Sequence, residues 1–216
     1  MAIKPILFNT DMVQAILEGR KTQTRRAVRF IECDVYDMAC AAGIWNEVFD
    51  PENPPKALIE WFVRNKARKP FRTGDILWVR ETWCQCATID SFFDGINRYA
   101  YKADYEDDAL PPCKWKPSIH MPKDAARIFL IAKNVRAKRL QDMNLEDFKA
   151  EGIWDDYKAS SEKHHENLQR AAYPVVFKEL WNSTIEKADL PKYGWEANPW
   201  VWVIEFERCE KPVGWC

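Results

Sequence analysis

The stretch EGRKTQTRR, Glu18 to Arg26, sets four cations and two threonine hydroxyls directly behind a glycine placed to stop a helix. Residues 10–18 read as a short helix. Thr10 can serve as its N-cap, Val13, Ile16 and Leu17 share one face, and Gly19 sits where a left-handed C′ residue is wanted. The preceding PILF (5–8) reads as a short strand entering that helix. Thr24 follows Lys21 by three residues, so a straight strand would turn the two side chains to opposite sides. A turn-like backbone after Gly19 could instead bring the hydroxyl near the amine.

The 216 residues suit one large domain, or a small one with long insertions, and an apolar fraction of 47% with eleven tryptophans allows a sizeable core. A formal net charge of −1 argues against coating nucleic acid by bulk attraction, so such a ligand would have to meet local patches. No apolar run approaches the ~20 residues that span a bilayer, and Lys4, Pro5, Asn9 and Asp11 interrupt any signal-peptide core. Seven cysteines without even spacing then read as reduced thiols of a soluble cytoplasmic protein. Cys84 and Cys86, like Cys33 and Cys40, lack the paired spacing of common zinc sites, and with three histidines no metal or other cofactor is expected.

Farther along, PPKALIEWFVRNKARK (54–69) predicts an amphipathic helix. FRTGDILWVRETW (71–83) predicts a turn at Gly74-Asp75 and then a strand from Ile76, with NRYAYKA (97–103) as its partner strand. RIFLIAKNVRAKRL (127–140) begins as a buried strand and goes on as alternating apolar and basic residues. NLEDFKAEGI (144–153) predicts a short helix capped by Asn144, with Asp147 at N3 and Gly152 as its end. Residues 161–185 read as mostly helical, broken or kinked at Pro174, and PWVWVIEFER (199–208) reads as a final strand. Short strands mixed with short helices indicate an α+β fold or small β-barrel, not a doubly wound sheet.

GRKTQTRR matches the G-x-K-x-x-[E/T]-x-R signature of ASCH domains through Gly19, Lys21, Thr24 and Arg26. TGDILWVRETW (73–83), RLQDMNLEDFKAEGI (139–153), GWEANPWVWVIEFER (194–208) and SIHMPKDAARI (118–128) resemble the longer, phage- and prophage-type members of that family. The resemblance implies one PUA-like small β-barrel over 1–216, with flanking helices and insertions at about 27–70, 84–125 and 154–193. One branch of the family removes the acetyl group of N4-acetylcytidine. By that resemblance Lys21, Thr24 and Glu151 are the catalytic trio, and a threonine at the variable position favours the hydrolase branch over RNA-binding or ribonuclease members.

The chemistry can also be reasoned from the residues themselves. A threonine hydroxyl needs a base, and lysine is one only when neutral. Burial of Lys21 and like charge from Arg20, Arg25 and Arg26 both push it that way. Arg25 and Arg26 are candidate substrate contacts, Arg26 through an oxyanion. Glu81 either lines the pocket or pairs with Arg80 or another cation. Trp83 either stacks a base or belongs to the core. The alternative is a non-catalytic RNA-binding module using RNKARKPFR (64–72) and KNVRAKR (133–139) on phosphates. Ribonuclease action stands last, since His120, His164 and His165 form no evident pair. The expected partner is a modified nucleoside or RNA, with no membrane and no obligate protein partner.

Overall fold

β7 (Trp200–Cys209) runs through the middle of the molecule and explains its layering. Its register sets Trp202, Ile204 and Phe206 into one apolar core and Val201 and Val203 into another. A strand buried on both faces carries a nearly continuous apolar run, and that is why WVWVIEF does not alternate. The structure is a computed structural model that describes residues 1–29, 61–63, 67, 69–85, 99–105, 114–153 and 162–215, without the side chains of 162–170.

In chain order these residues form β1 (Ile3–Leu7), α1 (Thr10–Leu17), β2 (Gln23–Ala27), β3 (Ile76–Arg80), β4 (Trp83–Gln85) and β5 (Tyr99–Tyr101). β6 (Phe129–Arg139), α2 (Leu145–Ala150), α3 (Glu162–Ser183), α4 (Leu190–Tyr193) and β7 follow, with short 3-10 turns between. The α+β expectation is met. A five-stranded sheet takes the order β1-β3-β6-β7-β2, and β4 with β5 forms a separate two-stranded ribbon. β1 and β3 are parallel; the other pairs are antiparallel. β1 and β2 are therefore the edges of this order. They are tied to each other by α1 and by Arg26 Nη2, which donates to the Leu7 carbonyl at 2.9 Å.

One core gathers Ile6, Phe8, Val13 and Ile16 from the β1–α1 region beneath the sheet. On the opposite face Phe148 of α2 and Tyr173, Phe177 and Trp181 of α3 pack on Val201 and Val203. A third cluster joins Trp78, Phe129 and Trp83 to Trp215 near the C-terminus.

Several local expectations change. The N-cap of α1 is Asn9, not Thr10, because the Asn9 side chain accepts from the Met12 amide at 2.9 Å. The 97–103 strand is realised as β5 and pairs with β4, since the chain leaves the main sheet at Glu81. α3 runs from Glu162 to Ser183 with Pro174 inside it, so the proline does not end the helix. Of the helix expected over 54–69, residues 61–63 are helical and most of the rest lies outside the described residues. Cys84 is disulfide-bonded, contrary to the expectation of reduced thiols throughout.

The turn before β3 is fastened by one carboxylate. Asp75 accepts from the amides of Ala2 (2.9 Å) and Arg72 (3.0 Å) and from Lys4 Nζ (3.0 Å), locking β1 onto β3. Burial alone would raise its pKa, but these donors prevail and hold it at about 2. A folded-state value below the unfolded one, about 3.9, stabilises the fold above pH 4 or so and loses that contribution as pH falls through about 2. Asp75→Asn is expected to cost about 1–3 kcal/mol at neutral pH. In urea denaturation its stability should decline less than that of the wild type between about pH 4 and pH 2.

Candidate active site

The helix α1 closes as the glycine predicts. Gly19 takes φ +77°, and its amide donates to the Ile16 carbonyl at 3.1 Å. The Lys21 amide then returns to the Ala15 carbonyl at 2.9 Å. Thr22 is clamped next, its amide on the Ala150 carbonyl and its own carbonyl taking the Phe206 amide, each at 2.9 Å. β2 begins only at Gln23, so Lys21 and Thr22 are not part of a straight strand. The backbone thus leaves strand geometry ahead of β2, and the side chains then take different partners, Lys21 Nζ meeting Glu151 and Thr24 Oγ1 meeting Arg26.

α2 delivers the carboxylate. Asn144 and Asp147 form a reciprocal capping box at its start, and Glu151 is its C-cap, bridged backbone to backbone with Lys21. Gly152 follows at φ +85°, where a Cβ would stand 3.0 Å from the Cβ atoms of both Ala15 and Lys21. Glycine is thus favoured there twice, by the left-handed conformation and by the crowding a Cβ would meet.

The result is a buried ion network. Lys21 Nζ donates to Glu151 Oε2 at 2.7 Å and to the Glu151 carbonyl at 2.8 Å. Arg25 Nη1 donates to the other carboxylate oxygen, Oε1, at 2.7 Å, and Arg25 Nη2 lies 3.3 Å from Asp147 Oδ1. The side chains of Lys21, Arg25 and Glu151 are 0%, 1% and 4% exposed. Burial pushes the Lys21 pKa below its ordinary value; Glu151 opposes the shift and Arg26 and Arg25 add to it. Burial would raise Asp147, but Gln23, Asn144, Arg25 and Lys138 together hold it down.

Across β2 the residues divide by face. Thr24 and Arg26 stand opposite Ile204 and Trp202 and share their face, while Gln23 and Arg25 turn toward α2. Arg26 Nη1 donates to Thr24 Oγ1 at 2.7 Å and to the Arg25 carbonyl at 2.8 Å. The Phe8 ring lies under both cations, 5.9 Å from Lys21 Nζ and 5.3 Å from the Arg26 guanidinium carbon. A cation donating to a hydroxyl oxygen favours its ionised form. That is the electrostatic setting of the Thr24 hydroxyl.

A cleft of about 500 Å³ opens over this group, lined by Thr24, Arg25, Arg26 and Glu151 on one side and by Phe177 and Trp181 of α3 on the other. Its size falls in the ordinary range for small-molecule sites. Trp181 is fixed by its indole N–H, which donates to the Tyr193 carbonyl at 2.8 Å. α3 belongs to the segment 154–193 expected as an insertion, and it supplies this wall.

Thr24, Arg25, Arg26 and Glu151 are brought to the cleft and Lys21 is held on Glu151 behind them; Lys21, Glu81 and Trp83 are not among the residues lining the cleft. Both Glu81 oxygens accept from Arg127, at 2.9 Å each, and burial raises the Glu81 pKa against that pairing. Trp83 is buried with Tyr101, Met121 and Trp215. The basic run 133–139 is also engaged: Lys133 pairs with Glu207, Arg136 with Glu205 and Lys138 with Asp147, and Arg139 lies over Trp200. Parts of the 64–72 cluster lie outside the described residues; Lys69 donates to the Val135 carbonyl at 3.0 Å. The sequence reading missed Asp147 as a site residue, although its i,i+4 spacing from Glu151 on a helix was there to be used. Nothing local marked Phe8 or the α3 wall.

Among the described residues no group of three or more His, Cys, Asp or Glu side chains could hold a metal ion. No described helix is long and apolar enough to cross a membrane. No protein-family model matches the chain, and no curated protein matches it. Among solved structures the chain is similar to a crystal structure of an ASCH domain from Lactobacillus crispatus JV V101, at 11% identity over 96% of this chain and 79% of that one, with a TM-score of 0.35.

Glu151→Gln removes the one carboxylate that Lys21 and Arg25 share, and urea denaturation should show a loss of about 3–5 kcal/mol. The triple variant Lys21→Met, Arg25→Met, Glu151→Leu should recover much of it, because the buried ions are then replaced together and Asp147 keeps Gln23 and Lys138.

Proposed function

We propose that this protein is an ASCH-type amidohydrolase of PUA-like architecture that removes the acetyl group from N4-acetylcytidine or a related N-acylated nucleoside. The observation that carries this reading is the primed hydroxyl. Thr24 is among the residues lining the cleft, and its Oγ1 accepts from a guanidinium on the same Phe8 ring that underlies the buried Lys21 amine. The cation pairs along 133–139 favour this reading over phosphate tracking, since those side chains already face acids.

The reaction follows from those roles. Thr24 Oγ attacks the acyl carbonyl while neutral Lys21 takes the hydroxyl proton. Arg26 moves its donor from the ground-state hydroxyl to the oxyanion that forms beside it. The C–N bond breaks, and the departing nitrogen takes the proton back through the Lys21–Glu151 pair. Water then hydrolyses the threonine ester, releasing acetate and restoring Oγ–H. Phe177 and Trp181 supply apolar surface for a pyrimidine ring.

Purified protein incubated with N4-acetylcytidine should yield cytidine by chromatography, and Thr24→Ala should abolish the conversion. Arg26→Gln should lower kcat by roughly 10²–10³. No conversion at high enzyme concentration overturns the free-nucleoside reading; salt-dependent RNA binding that survives Thr24→Ala would then point to a binding module. The base must be neutral, so kcat/KM should rise with pH through a midpoint below the ordinary lysine value of about 10.4. A pH–rate profile without that limb contradicts Lys21 as the base.

A further inference from the structure

Arg25 is a buried cation of the opening motif to which the reaction assigns no step. It lies on the α2-facing side of β2, opposite Val203, where an apolar side chain would join Phe148 and Val203 in the helix-side core. Instead the chain buries a guanidinium there, with its side chain 1% exposed. Nε makes no hydrogen bond and is sealed from solvent, and Nη2, equally sealed, has the 3.3 Å ion-pair approach to Asp147 Oδ1 but no hydrogen bond. Unmet buried donors cost stability, so their presence calls for an explanation. The sealed nitrogens also cannot meet a molecule in the cleft, which argues against Arg25 as a substrate contact. Nη1 does have a partner: Glu151 Oε1, at 2.7 Å, the oxygen that Lys21 leaves free.

We propose that Arg25 is a positioning residue, which fixes the rotation of the Glu151 carboxylate so that Oε2 faces the Lys21 amine, and which shares the carboxylate's charge with it. This rests on the reading of Lys21 as the base. Two opposed effects meet on Lys21. Glu151, at the end of α2, favours its ammonium form; Arg25 and Arg26, from β2, disfavour it. The Phe8 ring lies 5.9 Å from the amine. Arg25 itself faces Glu151 and Asp147 of α2, and Asp147 is met in turn by Gln23 of β2 and Lys138 of β6. Without Arg25, Glu151 is left to Lys21 alone. The amine then holds its proton more tightly, and the carboxylate loses the contact that sets its angle.

The test uses Arg25→Met, Arg25→Gln and Arg25→Lys. Two readouts serve: the pH–rate profile, and the titration of the Lys21 ¹³Cε resonance in lysine-labelled protein, assigned by its loss in Lys21→Arg. Arg25→Met should move the Lys21 midpoint and the basic limb upward together, with KM unchanged. A midpoint higher by one on the pH scale removes about a factor of ten in rate at neutral pH. Arg25→Gln, polar but neutral, should shift in the same direction and replaces Arg25→Met if that variant does not fold. Arg25→Lys keeps the charge and should return the midpoint most of the way. A raised KM with an unmoved midpoint would make Arg25 a substrate contact and overturn the proposal. Unmoved midpoint and limb in the neutral variants would reduce Arg25 to packing and overturn it equally. If the wild type hydrolyses no N-acetylated nucleoside, the functional reading fails, and the Lys21 titration still decides the role of Arg25.

Discussion

The ion pair between Lys21 and Glu151 is the contact on which the site depends, and the fold around it is arranged to make it possible. An ammonium with no solvent exposure is tolerable only if its protons are handed to acceptors on every side available. Lys21 finds both a carboxylate oxygen and a carbonyl on one residue, 130 positions away in the chain. Bringing them together takes the C-terminal turn of α1, the capping box and C-terminus of α2, and the backbone bridge between Lys21 and Glu151. At Gly152 a Cβ would crowd Lys21 itself, 3.0 Å from its Cβ. The pair is therefore better understood as a constraint the sequence satisfies than as a source of stability.

β2 can meet that constraint because it ends the strand order. Its Thr24–Arg26 face looks into the core with Phe8, and its Gln23–Arg25 face looks at α2. Glu151 stands where α2 meets the backbone just ahead of β2, bridged to Lys21. A central strand would have a neighbour in that place, and the carboxylate could not approach. The edge, a liability in most sheets, is here covered by the Lys21–Arg25–Glu151 ion network. α3 then stands across the opening and makes a cleft of it.

What the sequence disclosed, and what it withheld, follows the range of the interactions. The stop at Gly19, the Asn144 cap with Asp147 at N3, the end at Gly152 and the strands at 76–80, 129–139 and 200–209 are local patterns. Each could be read within a dozen residues. The Asn9 cap lost to Thr10 in the reading because both are good cap residues one position apart. The trio Lys21, Thr24 and Glu151 came from motif resemblance, and the structure puts Lys21 and Glu151 in contact with Thr24 lining the same cleft as Glu151. Glu81 was flagged as a charge in an apolar strand, a signal that cannot distinguish a ligand contact from the bidentate Arg127 pair it makes. Trp83 was one of eleven tryptophans, and its environment is set by residues up to Trp215. Phe8 and the α3 wall are purely tertiary.

The most direct test of the mechanism is to look for the bond it says must form. Wild-type protein is mixed with N4-acetylcytidine at enzyme excess, quenched in acid on the turnover timescale and digested for mass spectrometry. The mechanism predicts a transient acetyl group on the peptide carrying Thr24, assigned by fragmentation to that side chain, rising before cytidine release ends and gone at completion. Cytidine formed in the same experiment with Thr24 unmodified at every time point would contradict it, because the acyl group would then have passed directly to water.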